Sequence, residues 1–157
     1  MPNSVATRLR DLGLALPPAH MPVATYIGWQ RLGREIWISG VGPTWGQSIR
    51  HAGKLGAGGL SVAEGAAAAR LTALNLLAQL AQAVDGDLDR VERCLKIFVL
   101  VNSLPDFQQA QVVANGATDL LVEIFGEAGR PARSTISAPS LPFDIAVEAD
   151  AVFLLKD

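Results

Sequence analysis

The hydrophobic pattern of this chain changes period several times, and each change marks an element. From Ile145 to Leu155 apolar residues take every second position (Ile145, Val147, Ala149, Ala151, Phe153 and Leu155), which predicts a strand with one buried face. Glu148 and Asp150 must then share the opposite face. Upstream, Arg130 to Ile136 reads as another strand, and Ser140-Leu141-Pro142 as the turn of a C-terminal hairpin that sets Arg133 beside the two acids. Residues 91–101 end in the nearly continuous apolar run Leu95-Lys96-Ile97-Phe98-Val99-Leu100-Val101, the pattern of a buried central strand.

Elsewhere the period lengthens to that of a helix. Ser61-Val62-Ala63-Glu64 fits a capping box, in which serine and glutamate satisfy each other's free amides. The run that follows carries Leu71, Leu74, Leu77, Ala78 and Ala81 on one stripe as far as Val84, and Asp85-Gly86 stops it. Ser103-Leu104-Pro105-Asp106 opens a second helix, closed after Phe125 by Gly126. Nearer the N-terminus, Val23 to Gln30 and Glu35 to Ser39 predict a hairpin about Leu32-Gly33-Arg34. Ser4 to Leu14 predicts a short helix capped by Ser4, with an apolar edge of Leu9, Leu12 and Leu14, ended by the prolines at 17, 18 and 22. The glycine-rich stretch from Gly40 to Leu60 reads as loop. The order is therefore helix, β, β, α, β, α, β, β. It predicts an α+β fold, a two-layer sandwich with two helices on one face of a mixed sheet.

Composition sharpens this in one respect. Half of the 157 residues are hydrophobic and 18% are charged, and the mean hydropathy is +0.29. One domain is expected from the length, and its sheet has a second face to cover. Symmetric copies of the chain are the expected cover. Thirteen basic and fifteen acidic residues give a net charge of −2 with no basic block, which argues against nucleic acid as partner. No run approaches the roughly 18 apolar residues of a membrane span, and the first residues lack the apolar stretch of a signal peptide. A single cysteine, Cys94, rules out an intrachain disulfide, and a cytoplasmic protein is the simplest expectation.

The candidate chemistry is sparse. Arg133 admits two readings, a cross-strand ion pair with Glu148 or Asp150, or a planar fork for a substrate carboxylate. Glu148 is either a solvated strand residue or a general base. His20 and His51 share no metal-like spacing with each other or with Cys94, so no metal is expected. Gly56-Ala57-Gly58-Gly59-Leu60-Ser61 lacks the third glycine of a dinucleotide fingerprint, and Lys54 precedes the glycines where a phosphate-loop lysine would follow them. No Gly-x-Ser-x-Gly elbow is present.

The element order, with Ser39-Gly40, Pro131-Ala132-Arg133-Ser134, Leu141-Pro142 and Val147-Glu148-Ala149-Asp150, resembles the reactive intermediate deaminase family, RidA/YjgF. The resemblance spans about Val23 to Leu155, so the chain reads as a single domain (1–157) with a Rid-like part at 23–157 and an N-terminal extension at 1–22. It implies a chorismate mutase-like fold, a homotrimer with clefts between subunits, and hydrolysis of 2-imino acids or enamines to 2-oxo acids and ammonia without metal or organic cofactor. A non-catalytic metabolite-binding or regulatory trimer is the alternative. Carried over by residue, Arg133 grips the carboxylate of a small metabolite and Glu148 positions or activates water. Tyr26 offers a hydroxyl, Gly40 backbone contacts and Asn115 a helix amide. Thr135 stands where many members carry cysteine, and Val41 where glutamine is usual. The family has also been labelled endoribonuclease, against which the acidic charge balance weighs.

Overall fold

The computed structural model describes residues 4–157. A five-stranded sheet in the order β1-β2-β7-β5-β6 carries the long helices α2 and α3 on one face. Its strands are β1 (Trp29–Leu32), β2 (Glu35–Val41), β5 (Val91–Asn102), β6 (Ala132–Ala138) and β7 (Val147–Leu155). A separate small hairpin, β3 (Thr44–Trp45) with β4 (Ser48–Ile49), rises from the stretch expected to be loop.

Several elements follow directly from their sequences. Helix α2 (Val62–Ala83) begins with the capping box in full: Glu64 N donates to Ser61 Oγ, and Ser61 N donates to the Glu64 carboxylate. Ser4 caps α1 (Val5–Asp11), whose Val5 and Leu9 are buried, while Leu12 faces solvent instead of completing the expected edge. Helix α1 packs on α3 (Ala110–Phe125), and Arg8 Nη1 donates to the carbonyl of Ile124 at 2.6 Å. Helices α2 and α3 approach closely where Gly116 meets Ala66, since a Cβ at 116 would collide with that carbonyl.

Three boundaries differ from expectation. Residues 103–109 are loop, so α3 starts seven positions after Ser103. Residues 23–28 are bends, and β1 begins only at Trp29. The largest difference is at the C-terminus, where no hairpin forms. Strand β6 pairs parallel with β5, and β7 pairs antiparallel with the other side of β5. The chain from β5 through α3 to β6 is thus a strand-helix-strand crossover, the connection that parallel pairing requires. Arg133 and the two acids are consequently held one strand apart.

Burial divides the faces. Ile97, Val99 and Val101 of β5 pack with Ala149, Ala151 and Phe153 of β7 beneath Leu76, Leu77 and Leu80 of α2 and Leu120, Leu121 and Ile124 of α3. The second face carries the half-exposed Trp37 and Ile136 with Phe98, Leu100, Val152 and both acids.

Candidate functional site

Strand register decides where the predicted residues go. Residues opposite each other on neighbouring strands share a face. Ile97 lies opposite Arg133 on one side and Ala151 on the other, so Arg133 projects from the helix-bearing face. Leu100, three positions along, lies opposite Glu148, which therefore projects from the uncovered face. The expected arrangement of arginine and acids on one face does not occur within the chain. The site separates into two parts.

The first part sits at the outer edge of the sheet, between β6 and α3. Arg133 Nη1 donates to Asn115 Oδ1 at 2.9 Å and to Thr118 Oγ1 at 3.1 Å, and Nη2 donates to the carbonyl of Gln111 at 3.2 Å. Among the described residues these bonds use three of its five N–H donors and no carboxylate pairs with it. Nε–H and one N–H of Nη2 stay available, which is what a bidentate carboxylate needs. Two positions along, on the same face, the buried Thr135 Oγ1 has no hydrogen-bond partner among the described residues. Arg133, Asn115 and Thr135 thus lie together at this edge. Thr118 was missed, although its spacing of three from Asn115 puts both on one side of α3.

The second part gathers Glu148, Gly40 and Tyr26 around a cavity of about 500 Å³. The Glu148 carboxylate lies over Gly40, and a Cβ there would collide with Oε1. Only glycine lets the acid take this position. Burial, then the negative charge of Asp150, push the Glu148 carboxyl above the usual carboxylate range. Asp150 is likewise raised by burial, with Lys96 opposing. Such an acid is a stronger base than a solvated glutamate.

Two amides in the apolar stretch of α2 hold the cavity's walls. The buried Asn75 Nδ2 donates to the carbonyl of Thr44 at 2.8 Å, and Gln79 Nε2 donates to that of His20 at 2.6 Å. Both Thr44 and His20 line the cavity. His20, which has no metal-like spacing to another ligand residue, is a wall residue of this cavity. The visible signal was polar residues at 75 and 79 in an otherwise apolar helix. Cys94 takes no part, since burial pushes its thiol up to about 12. Among the described residues no group of three His, Cys, Asp or Glu is placed to hold a metal. Among the described residues no helix is long and apolar enough to cross a membrane.

Comparison with known proteins places this geometry among relatives. Residues 6–154 match the family described as "YjgF/chorismate mutase-like, putative endoribonuclease". Protein TCP17 of Trypanosoma cruzi is 44% identical over 154 residues, covering 98% of this chain and 95% of its own. The crystal structure of Atu1372 from Agrobacterium tumefaciens superimposes with a TM-score of 0.90 at 36% identity, over 97% of this chain and 92% of that one. E. coli TdcF with bound serine shares the fold, with a TM-score of 0.61 at 23% identity over 90% of this chain and 94% of its own.

Proposed function

Because the chain belongs to the YjgF/chorismate mutase-like family, we propose that it hydrolyses 2-imino acids to 2-oxo acids and ammonia in clefts where two copies of a homotrimer meet. The observation that carries this reading is Arg133, a guanidinium on a prepared support that, among the described residues, has two donors free and no acid paired with it. The raised acid that would complete the site lies on the opposite face of the same sheet. A second copy bringing its Glu148 to this Arg133 joins the halves, and it also covers the exposed Trp37 and Ile136.

In such a cleft the Nε and Nη2 donors of Arg133 hold the substrate carboxylate, fixing the adjacent imine carbon. Glu148 of the neighbouring copy orients one water and takes its proton as the C–O bond forms and the C=N electron pair moves to nitrogen. Glu148 passes that proton to the nitrogen, giving the neutral carbinolamine. It then takes the hydroxyl proton as the C=O bond forms and delivers it to the amine, so that ammonia leaves with the C–N bonding pair. The 2-oxo acid remains. Glu148 ends as it began, and no electrons are exchanged with another group.

The test is complementation between two inactive variants. Arg133→Ala and Glu148→Gln are each assayed for clearance of an imine made in place by an amino-acid oxidase, with semicarbazide trapping what escapes. Mixed after co-expression, they should recover about a quarter of wild-type activity, because one site in four pairs an intact arginine with an intact glutamate. Trapping equal in wild type and Arg133→Ala would refute the enzymatic reading. Turnover-free binding of a 2-oxo acid would favour a metabolite-binding trimer. Light scattering should give about three times the 16.5 kDa chain mass.

A further inference from the structure

Resting on that deaminase reading, the geometry points to a substrate whose side chain is branched aliphatic or aromatic, received by the cavity beside Glu148. The cavity's volume of about 500 Å³ lies within the roughly 300–1,000 Å³ usual for small-molecule sites. Around a three-carbon imine it would leave space for on the order of ten waters against apolar walls. Those walls are Val23, Val41, Ile49, Pro142, Phe143 and Ile145. Polar groups gather where the chemistry is expected, with Glu148 and Tyr26 beside the backbone of Gly40. A ligand filling this space would turn its carboxylate toward an incoming Arg133 and its hydrocarbon toward the six walls.

The wall at Phe143 is built at a cost that packing within the chain does not explain. Phe143 and Asp144 have φ of 57° and 56°, a left-handed conformation that side chains other than those of Gly, Asn and Asp seldom adopt. The ring is nevertheless 75% exposed, so it contributes little to the core. The segment is fixed from beneath. Fully buried Asn102 donates to Asp144 Oδ1 at 2.9 Å and to the carbonyl of Ile145 at 3.0 Å, and Gly53 N donates to the carbonyl of Asp144 at 2.7 Å. Strain that persists because its surroundings over-determine it is a mark of ligand-contacting segments. Here it holds an aromatic face at the rim of an apolar cavity.

Imines generated from alanine, leucine and phenylalanine by one oxidase, compared at equal flux, test the proposal. The leucine- and phenylalanine-derived imines should be cleared with kcat/KM at least about tenfold above the alanine-derived one, since a single methylene in an apolar pocket is worth about tenfold or more. Phe143→Gly accepts the left-handed backbone without strain and should fold. It should narrow that ratio about tenfold. Val23→Trp, which fills the cavity from an exposed position, should reverse the preference. Calorimetric binding of pyruvate, 4-methyl-2-oxopentanoate and phenylpyruvate separates the two claims. Turnover with a flat or inverted preference overturns the side-chain proposal and leaves the deaminase reading standing. Selective binding of the larger oxo acids without turnover of any imine overturns the deaminase reading and sustains the cavity's preference. Neither turnover nor selective binding overturns both.

Discussion

The edge that carries Arg133 and the cavity that carries Glu148 are built by opposite means. Arg133 is held by one helix and one strand, through side chains and a carbonyl 15 to 22 positions away in sequence. The Glu148 cavity draws its walls from the segments near 20–26, 40–49 and 142–148, pinned from the core by Asn75, Gln79 and Asn102. The first is a compact anchor whose donors suit any carboxylate and discriminate little beyond it. The second is long-range, largely apolar and shaped by loops, which suits it to setting a side-chain preference. Loops bear such variation because the rigid elements beneath them do not have to change. On the proposed reading anchoring and selection are separable, and substitutions should affect one without the other.

The hardest blow to the anchor is Arg133→Ala. Two charge-assisted hydrogen bonds to a carboxylate are worth about 1.5–3 kcal/mol each, so kcat/KM should fall on the order of 100-fold to 10,000-fold. The fall should be similar for every imine, whatever its side chain. Arg133→Lys should recover only part, because an ammonium cannot form the planar fork. If the loss with Arg133→Ala depended strongly on side-chain size, the separation of anchor from selector would fail. Asn115→Leu tests the support beneath. It removes an acceptor at 2.9 Å and should cost about tenfold, mainly in KM, with the circular dichroism spectrum unchanged.

Glu148→Gln addresses the other half and should lower kcat by about 100-fold, within the usual contribution of a positioned base. Gly40→Ala should act through the same acid, since its Cβ would displace Oε1. Its effect should be smaller and should vanish in the Glu148→Gln background. Additive losses in the double variant would show that Gly40 acts by some other route.

How much of this was legible beforehand depends on the range of the interaction that decides it. Capping at Ser4 and Ser61, the stop at Gly126 and the shared face of Glu148 and Asp150 are set within a few residues, and the sequence contained them. The place of β6 is set by pairing with β5, more than thirty positions upstream. Two strands adjacent in sequence suggested a hairpin, yet strand, helix and strand from 91 to 138 already had the form of a parallel crossover. The face on which Arg133 projects follows from that register alone. Motif resemblance could name Arg133 and Glu148 as partners without showing that one chain keeps them apart. Phe143 left no signal at all, because its conformation depends on Asn102 and Gly53.

The smallest expected effect is also the most specific to the cavity. Asp150 shares the uncovered face with Glu148 and helps to raise its carboxyl. Asp150→Asn removes that negative neighbour, so the Glu148 carboxyl should move back toward its ordinary range while its burial is kept. If Glu148 acts as base, activity is lost as pH falls through its folded-state pKa. In the proposed cleft the Arg133 guanidinium of the neighbouring copy opposes burial and Asp150, and relative to the wild type the acid limb of kcat/KM in Asp150→Asn should lie at lower pH. Stability should respond in a related way. Both acids are raised on folding, so the stability they lend is present below their unfolded-state pKa values and is lost as pH rises through the folded ones. Asp150→Asn should therefore melt slightly higher than wild type near neutral pH, with the difference disappearing in acid. An acid limb that stayed fixed in Asp150→Asn would mean that Glu148 titrates under another influence, the first being a guanidinium brought by a second copy.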